Sequence, residues 1–157
     1  MRFVVCGLVV LLAGEYTAFG ETRKVDFSAD TVGQPPKGFA FAHTAKVGAP
    51  GKWIVQQEGD NKFLAQTDPD STGSRFPVAI VSDLSAADVD LSVRFKPVSG
   101  RVDQAAGLVW RYQDENNYYI VRANALENNV VLYKVQNGGP GLSQQLRRTT
   151  PTRLVGP

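Results

Sequence analysis

One cysteine, one histidine and one methionine in 157 residues remove several chemistries at once. Cys6 has no second thiol to pair with, so neither a disulfide nor a Cys-rich metal site can form. His43 is the only histidine, which excludes a multi-histidine zinc centre. A general acid or base at that position has no evident partner, and "FAHTAK" reads as a loop carrying an ordinary histidine. Long hydrophobic runs are missing too. The longest apolar stretch, "FVVCGLVVLLAG", falls short of the about 20 residues that a membrane-spanning helix needs. A dominant charge is also missing. The formal net charge is +2, with acidic and basic residues interspersed, so no nucleic-acid partner is expected. The one basic cluster, "LRRTTPTR" at residues 146–153, reads as a solvated terminal segment. Helical periodicity is absent after residue 20.

What the N-terminus does contain is the layout of a secretory leader. Arg2 gives the positive start, the apolar stretch follows, and Ala18 and Gly20 give small residues before Glu21. The organisation expected is a signal peptide over 1–20, a β-sandwich domain over 21–148 and an irregular tail over 149–157. Glu15 stands where a lipoprotein leader would need cysteine, so no stable membrane anchor is expected after cleavage. The processed chain would then lack cysteine and suit a periplasmic or extracellular location. The weaker alternatives are an uncleaved anchor or a buried strand.

The rest reads as short strands. In "DVDLSVRFKP", Val89, Leu91, Val93 and Phe95 alternate with Asp90, Ser92, Arg94 and Lys96, which predicts one core face and one wet face. "AAGLVWRY", "YYIVRAN" and "VVLYKV" predict a three-strand meander. Its turns fall at "QDENN" and "ALENN", where Asn and Asp bond the local backbone and tolerate positive φ, and "NGG" at residues 137–139 closes the last strand. Upstream, "RKVDF" is a candidate strand, "VGQPPKGF" a loop, "GKWIVQQ" and "KFLAQT" a hairpin around "EGDN", and "FPVAIVS" a further strand. Many short strands without helices predict an all-β antiparallel sandwich. Beyond "NGGPGLSQQL" no further strand is predicted.

The stretch "GLVWRYQDENNYYIVRANALENNVVLYKVQNG", with "VDFSADTVGQPPKGF", "GKWIVQQ" and "DLSVRFKPVSGRVDQAAGLVWRYQDENNYY", resembles the secreted bacterial concanavalin A-like jelly-roll proteins. These lie near the laminin-G-like folds and the 3-keto-disaccharide hydrolase domains. The resemblance covers about residues 25–148 and implies a concanavalin-like jelly roll. Such domains continue with further strands, one of them carrying tryptophan. This sequence has none, so the sandwich is expected to lack its last strands.

Catalytic machinery of the laminarinase type needs carboxylates on one strand face. Glu21, Glu58, Glu115 and Glu127 instead fall at termini and turns, so the catalytic residues stay unknown. Asp68 and Asp70 in "TDPDSTG" are two carboxylates where calcium wants six to eight oxygens. A plain turn is expected there, with no metal and no cofactor. Sugar binding needs rings beside converging polar groups. On "YYIVRAN", Tyr118, Ile120, Arg122 and Asn124 share one face, while Tyr119, Val121 and Ala123 share a face read as core, together with Val131 and Tyr133. Arg111, beyond Val109 on the preceding strand, would join the first set. Arg111, Tyr118, Arg122 and Asn124 are therefore the candidate ligand-binding residues. The alternative is that Tyr118 packs in the sandwich and Arg122 pairs with a carboxylate. The function expected is a secreted domain that interacts with a glycan or oligosaccharide. The alternatives are a hydrolase or lyase acting on a keto-disaccharide, which the resemblance permits, a protein-interaction module of laminin-G type, and a truncated product without independent function.

Overall fold

The computed structural model describes residues 2–6, 22–73 and 75–146, and they form an antiparallel all-β sandwich. Its strands are β1 (Arg2–Cys6), β2 (Phe39–His43), β3 (Trp53–Glu58), β4 (Asn61–Gln66), β5 (Pro77–Val81), β6 (Arg94–Ser99), β7 (Ala105–Asp114), β8 (Asn117–Asn124), β9 (Asn129–Gln136) and β10 (Gly139–Leu146). They pair as one sheet in the order β3-β4-β1-β6, a meander β10-β9-β8-β7, and a two-stranded sheet β2-β5.

The small sheet lies between the other two, and its sequence shows why. Across the ladder Phe41 faces Ala79, and Ala42 faces Val78. Phe39, Phe41 and Ala79 pack against a cluster of Phe27, Trp53, Val55 and Leu64 on one side. Ala42 and Ile80 pack with Val78 against Tyr118, Ile120 and Val135 on the other. In "FAFA" the rings thus serve one core, while Ala42, with its minimal side chain, faces the other, where Tyr118 is buried. Aromatic contacts knit the first cluster: Phe27 and Phe39 lie 5.9 Å apart and Phe41 stacks on Trp53 at 6.3 Å.

Several elements follow the sequence reading. "GKWIVQQ" and "KFLAQT" become β3 and β4, turning at Gly59, whose φ is +58°. β4 loses its alternation over residues 63–66, all buried, as a strand does where both of its faces are covered. The meander forms as predicted. Asn116 donates its backbone amide to Asp114 at 2.7 Å, and Asn128 and Asn137 take positive φ in the following turns. At Gly107 a Cβ would stand 1.8 Å from the Val121 carbonyl oxygen, so β7 and β8 approach too closely there for any other residue.

Other expectations need correction. "RKVDF" forms no strand; Phe27 adopts a left-handed φ of 58° and is buried in the first core. "FAFAH" is a strand, so His43 ends β2 rather than lying in a loop. "GPGLSQQL", for which no strand is predicted, forms β10; the stretch beyond it lies outside the described residues. In "DVDLSVRFKP" the ladder begins only at Arg94. Leu91, Val93 and Phe95 are half-buried as their parity requires, but Val89 is 43% exposed. Arg2–Cys6, the start of the leader pattern, pairs as β1 between β4 and β6, a pairing that does not bear on cleavage. Residues 7–20 and 149–157 lie outside the described residues. Among those described, no helix is long and apolar enough to cross a membrane.

Candidate functional site

An open trough of about 1800 Å³ runs along the sandwich. Aromatic rings from several elements line it, including Phe39, Trp53, Phe76, Trp110, Tyr112 and Tyr133. Its polar lining includes Asp103, Gln104, Arg111, Arg122 and Glu127.

Arg122 is the hub of that polar group. Its side chain is 11% exposed; one terminal nitrogen lies 3.0 Å from Asp103 and the other 2.5 Å from Glu127. The guanidinium also sits over the Tyr133 ring, 5.4 Å from its centroid, and the Phe76 ring lies tilted to it at 5.5 Å. Asn124 donates to the same Asp103 oxygen at 2.7 Å and accepts from the amides of Gln104 and Leu126. Asn129 donates to Glu127 at 3.0 Å. The Arg122 Nε and the Asn129 Oδ1 are buried without a partner.

The two carboxyls respond oppositely to this setting. Burial pushes Asp103 up, against the Arg122 charge. Burial also acts to raise Glu127, but the Asn129 bond and the Arg122 charge and bond outweigh it and hold Glu127 down. A half-buried carboxyl whose pKa burial raises therefore lies across one guanidinium from an exposed carboxyl whose pKa its neighbours lower.

The four residues expected to bind ligand separate. Arg111 and Arg122 line the trough. Tyr118 is 2% exposed and Asn124 is buried; both sit on the inner face of β8 but are covered. Tyr118 bonds Thr44 through its hydroxyl and packs on Tyr112, 5.9 Å away. The face assignment of β8 is thus reversed: the Tyr118 side is the buried core. Tyr119, Val121 and Ala123 are only half-buried, with Tyr119 stacked on Trp110 at 5.8 Å. Val131 is buried as expected, and Tyr133 is half-buried on the trough side. Arg111 escapes its parity through a register shift between Trp110 and Asp114, where its φ is 50°. Asp103 and Tyr133 were not singled out from sequence as ligand residues, and Glu127 appeared only as a turn glutamate. The usable signal was a buried-side arginine on β8, which requires carboxylates from somewhere nearby.

Tyr118→Phe tests the core assignment. Thr44 is 0% exposed, and losing the phenol strands its hydroxyl, at a cost of about 1–3 kcal/mol. Combining it with Thr44→Val should recover most of that loss in urea unfolding, since removing both partners is nearly neutral. A double variant as unstable as the single one would contradict the pairing.

Asp68 and Asp70 close around a cation of the chain's own. Arg75 is 3% exposed and reaches Asp68 at 2.7 Å, Asp70 at 3.4 Å and the Ala49 carbonyl at 2.7 Å. Among the described residues no three metal-ligating side chains gather. The Asp70 amide first, then Arg75, hold Asp68 below 3.8; the Ala49 amide first, then Thr72 and Arg75, hold Asp70 well below it. Depressed carboxyl pKa values confer stability present above the unfolded pKa and lost as pH falls through the folded one. Asp103, raised, acts in the opposite sense: its contribution is present at low pH and fades as pH rises through its folded pKa. The urea midpoint is therefore expected to drop on acidification below about pH 4, and Asp68→Asn should flatten that drop. An unchanged acid slope in Asp68→Asn would remove this loop as its source.

Comparison of the chain with protein-family models, with curated proteins and with solved structures finds no match.

Proposed function

We propose that this chain is a secreted carbohydrate-interacting β-sandwich domain, with its trough as the saccharide site. The observation that carries this reading is the meeting of ring walls with one charged cluster, Asp103–Arg122–Glu127, in a single open groove. Aromatic faces suit sugar C–H surfaces, and a few converging polar groups select hydroxyl patterns. In this reading Glu127 and Arg111, the more exposed members, meet the ligand, while Arg122 and Asn124 hold the cluster in place. The N-terminal leader pattern and the confinement of cysteine to Cys6 support a periplasmic or extracellular location. The resemblance to concanavalin A-like jelly rolls favours the same ligand class.

The test is a glycan array, followed by titration of any hit. Trp53 and Trp110 both line the trough, so bound oligosaccharide should shift tryptophan emission. Glu127→Gln should weaken binding about tenfold, or 1.4 kcal/mol, with the melting point nearly unchanged. A protein that binds no glycan, or binds equally after Glu127→Gln, would defeat the proposal.

A second reading rests on two carboxyls flanking Arg122 in the trough, with Asp103 shifted up by burial and Glu127 held down by its neighbours: a hydrolase or lyase acting on a keto-disaccharide, with Asp103 supplying the proton. Turnover of such a substrate that disappears in Asp103→Asn would favour it over simple binding.

A further inference from the structure

The central position in one sheet is held by the segment read as a leader. β1 runs antiparallel to β4 on one side and to β6 on the other. Val5 lies opposite Leu64 and Phe95, and Val4 opposite Ala65 and Lys96. Strands antiparallel to the same neighbour are parallel to each other, and here they stand two spacings apart, about 9.5 Å. They cannot pair directly. Without β1, β4 keeps β3, whereas β6 keeps no ladder partner among the described residues. Leu64 and Ala65 are almost fully buried, so their freed backbone groups would be left unpaired at a new edge, which is costly inside a protein and adhesive at its surface. Signal cleavage, part of the function proposed above, would create this gap.

We infer that the gap between β4 and β6 is a strand-acceptor site of the processed chain. It takes an extended apolar segment of a partner polypeptide, and the leader holds the place only until it is cut. The seated leader defines the occupant's chemistry: five residues, antiparallel to both neighbours, with β-branched residues at the centre and no proline. Recognition runs through backbone ladders on both edges, the donor-strand form of strand addition. Capture would also anchor β6 and, with it, Leu91, Val93 and Val98, which line the trough. Partner binding and the trough wall are thereby linked.

The experiment uses the full chain with a protease site inserted between Gly20 and Glu21, cut after folding. The probe is a labelled peptide of residues 2–6 carrying Cys6→Ser, added in excess and followed by anisotropy and amide exchange. The cut chain is expected to take up the peptide, and the uncut chain to ignore it. Amide exchange at residues 63–66 and 94–99 should slow by about tenfold on uptake. A Val4→Pro peptide, which lacks the central donor, should not enter. No uptake by the cut chain, folded or not, overturns the inference. So does equal uptake of the Val4→Pro peptide, or a dimer of the cut chain that excludes the peptide, since a second copy would then be the occupant. None of these readouts involves a glycan, so they stand apart from the saccharide reading.

Discussion

Arg75→Met is expected to lower the unfolding free energy by about 3 kcal/mol, the lower end of the 3–5 kcal/mol that follows the loss of one partner from a buried ion pair. The arginine is nearly inaccessible, but its partners are not: Asp68 and Asp70 retain 15% and 25% side-chain exposure, so water recovers part of their solvation. Arg75 also fixes the loop to the rest of the chain. Its guanidinium bonds the Ala49 and Asp70 carbonyls, and its own carbonyl accepts from the Thr44 amide. Arg75→Lys should fall between methionine and wild type, because one ammonium cannot reproduce a fork that spans two carboxylates and two carbonyls. Urea unfolding of the two variants at neutral pH measures both effects. A methionine variant within 0.5 kcal/mol of wild type, the range of an ordinary surface change, would show that the network contributes nothing.

The second large effect is expected at Arg122. Arg122→Ala removes the charge that opposes the burial of Asp103 and should cost about 3 kcal/mol at pH 7. The loss should carry a pH signature. With the guanidinium gone, Asp103 takes up its proton more readily, so the difference between variant and wild type should shrink as pH falls toward 4 and the acid becomes neutral. Adding Asp103→Asn to Arg122→Ala should recover part of the stability by the same logic, with a coupling of about 0.5–3 kcal/mol. Glycan affinity is expected to fall in Arg122→Ala together with stability, because the residue positions Glu127, whereas Glu127→Gln separates the two readouts. A pH-independent stability loss, additive with Asp103→Asn, would assign Arg122 a packing role alone.

The meander was legible because its turns carry their own chemistry. "QDENN", "ALENN" and the closing "NGG" place Asn and Asp where the backbone needs local acceptors and positive φ, which marks the ends of all three strands. The faces of β8 were harder to assign. Parity correctly grouped Tyr118, Ile120, Arg122 and Asn124, but not which group lies inside, since both faces carry rings and aliphatics. Polarity pointed the wrong way: Arg122 and Asn124 are tolerated inside only because Asp103, on a distant loop, meets them. β2 was missed because "FAFAH" offers small alanines where strands usually show branched residues. Arg111 lines the trough beside Arg122, but the register shift at its position cannot be seen in one strand alone. Arg2–Cys6 satisfies two patterns at once, an apolar leader and an apolar strand; Arg2, Ala18 and Gly20 favour the first locally, while the strand partners β4 and β6 lie too far along the chain for local sequence to show.

The double-faced sheet of β2 and β5 has a consequence for cooperativity. Each strand lends alternate residues to two separate clusters, so neither cluster can melt without exposing the back of the other. The sandwich should unfold as one unit rather than sheet by sheet. In a Trp110→Phe background, tryptophan emission from Trp53 in the first cluster and the near-ultraviolet signal of the Tyr112–Tyr118 pair in the second would then share a single midpoint.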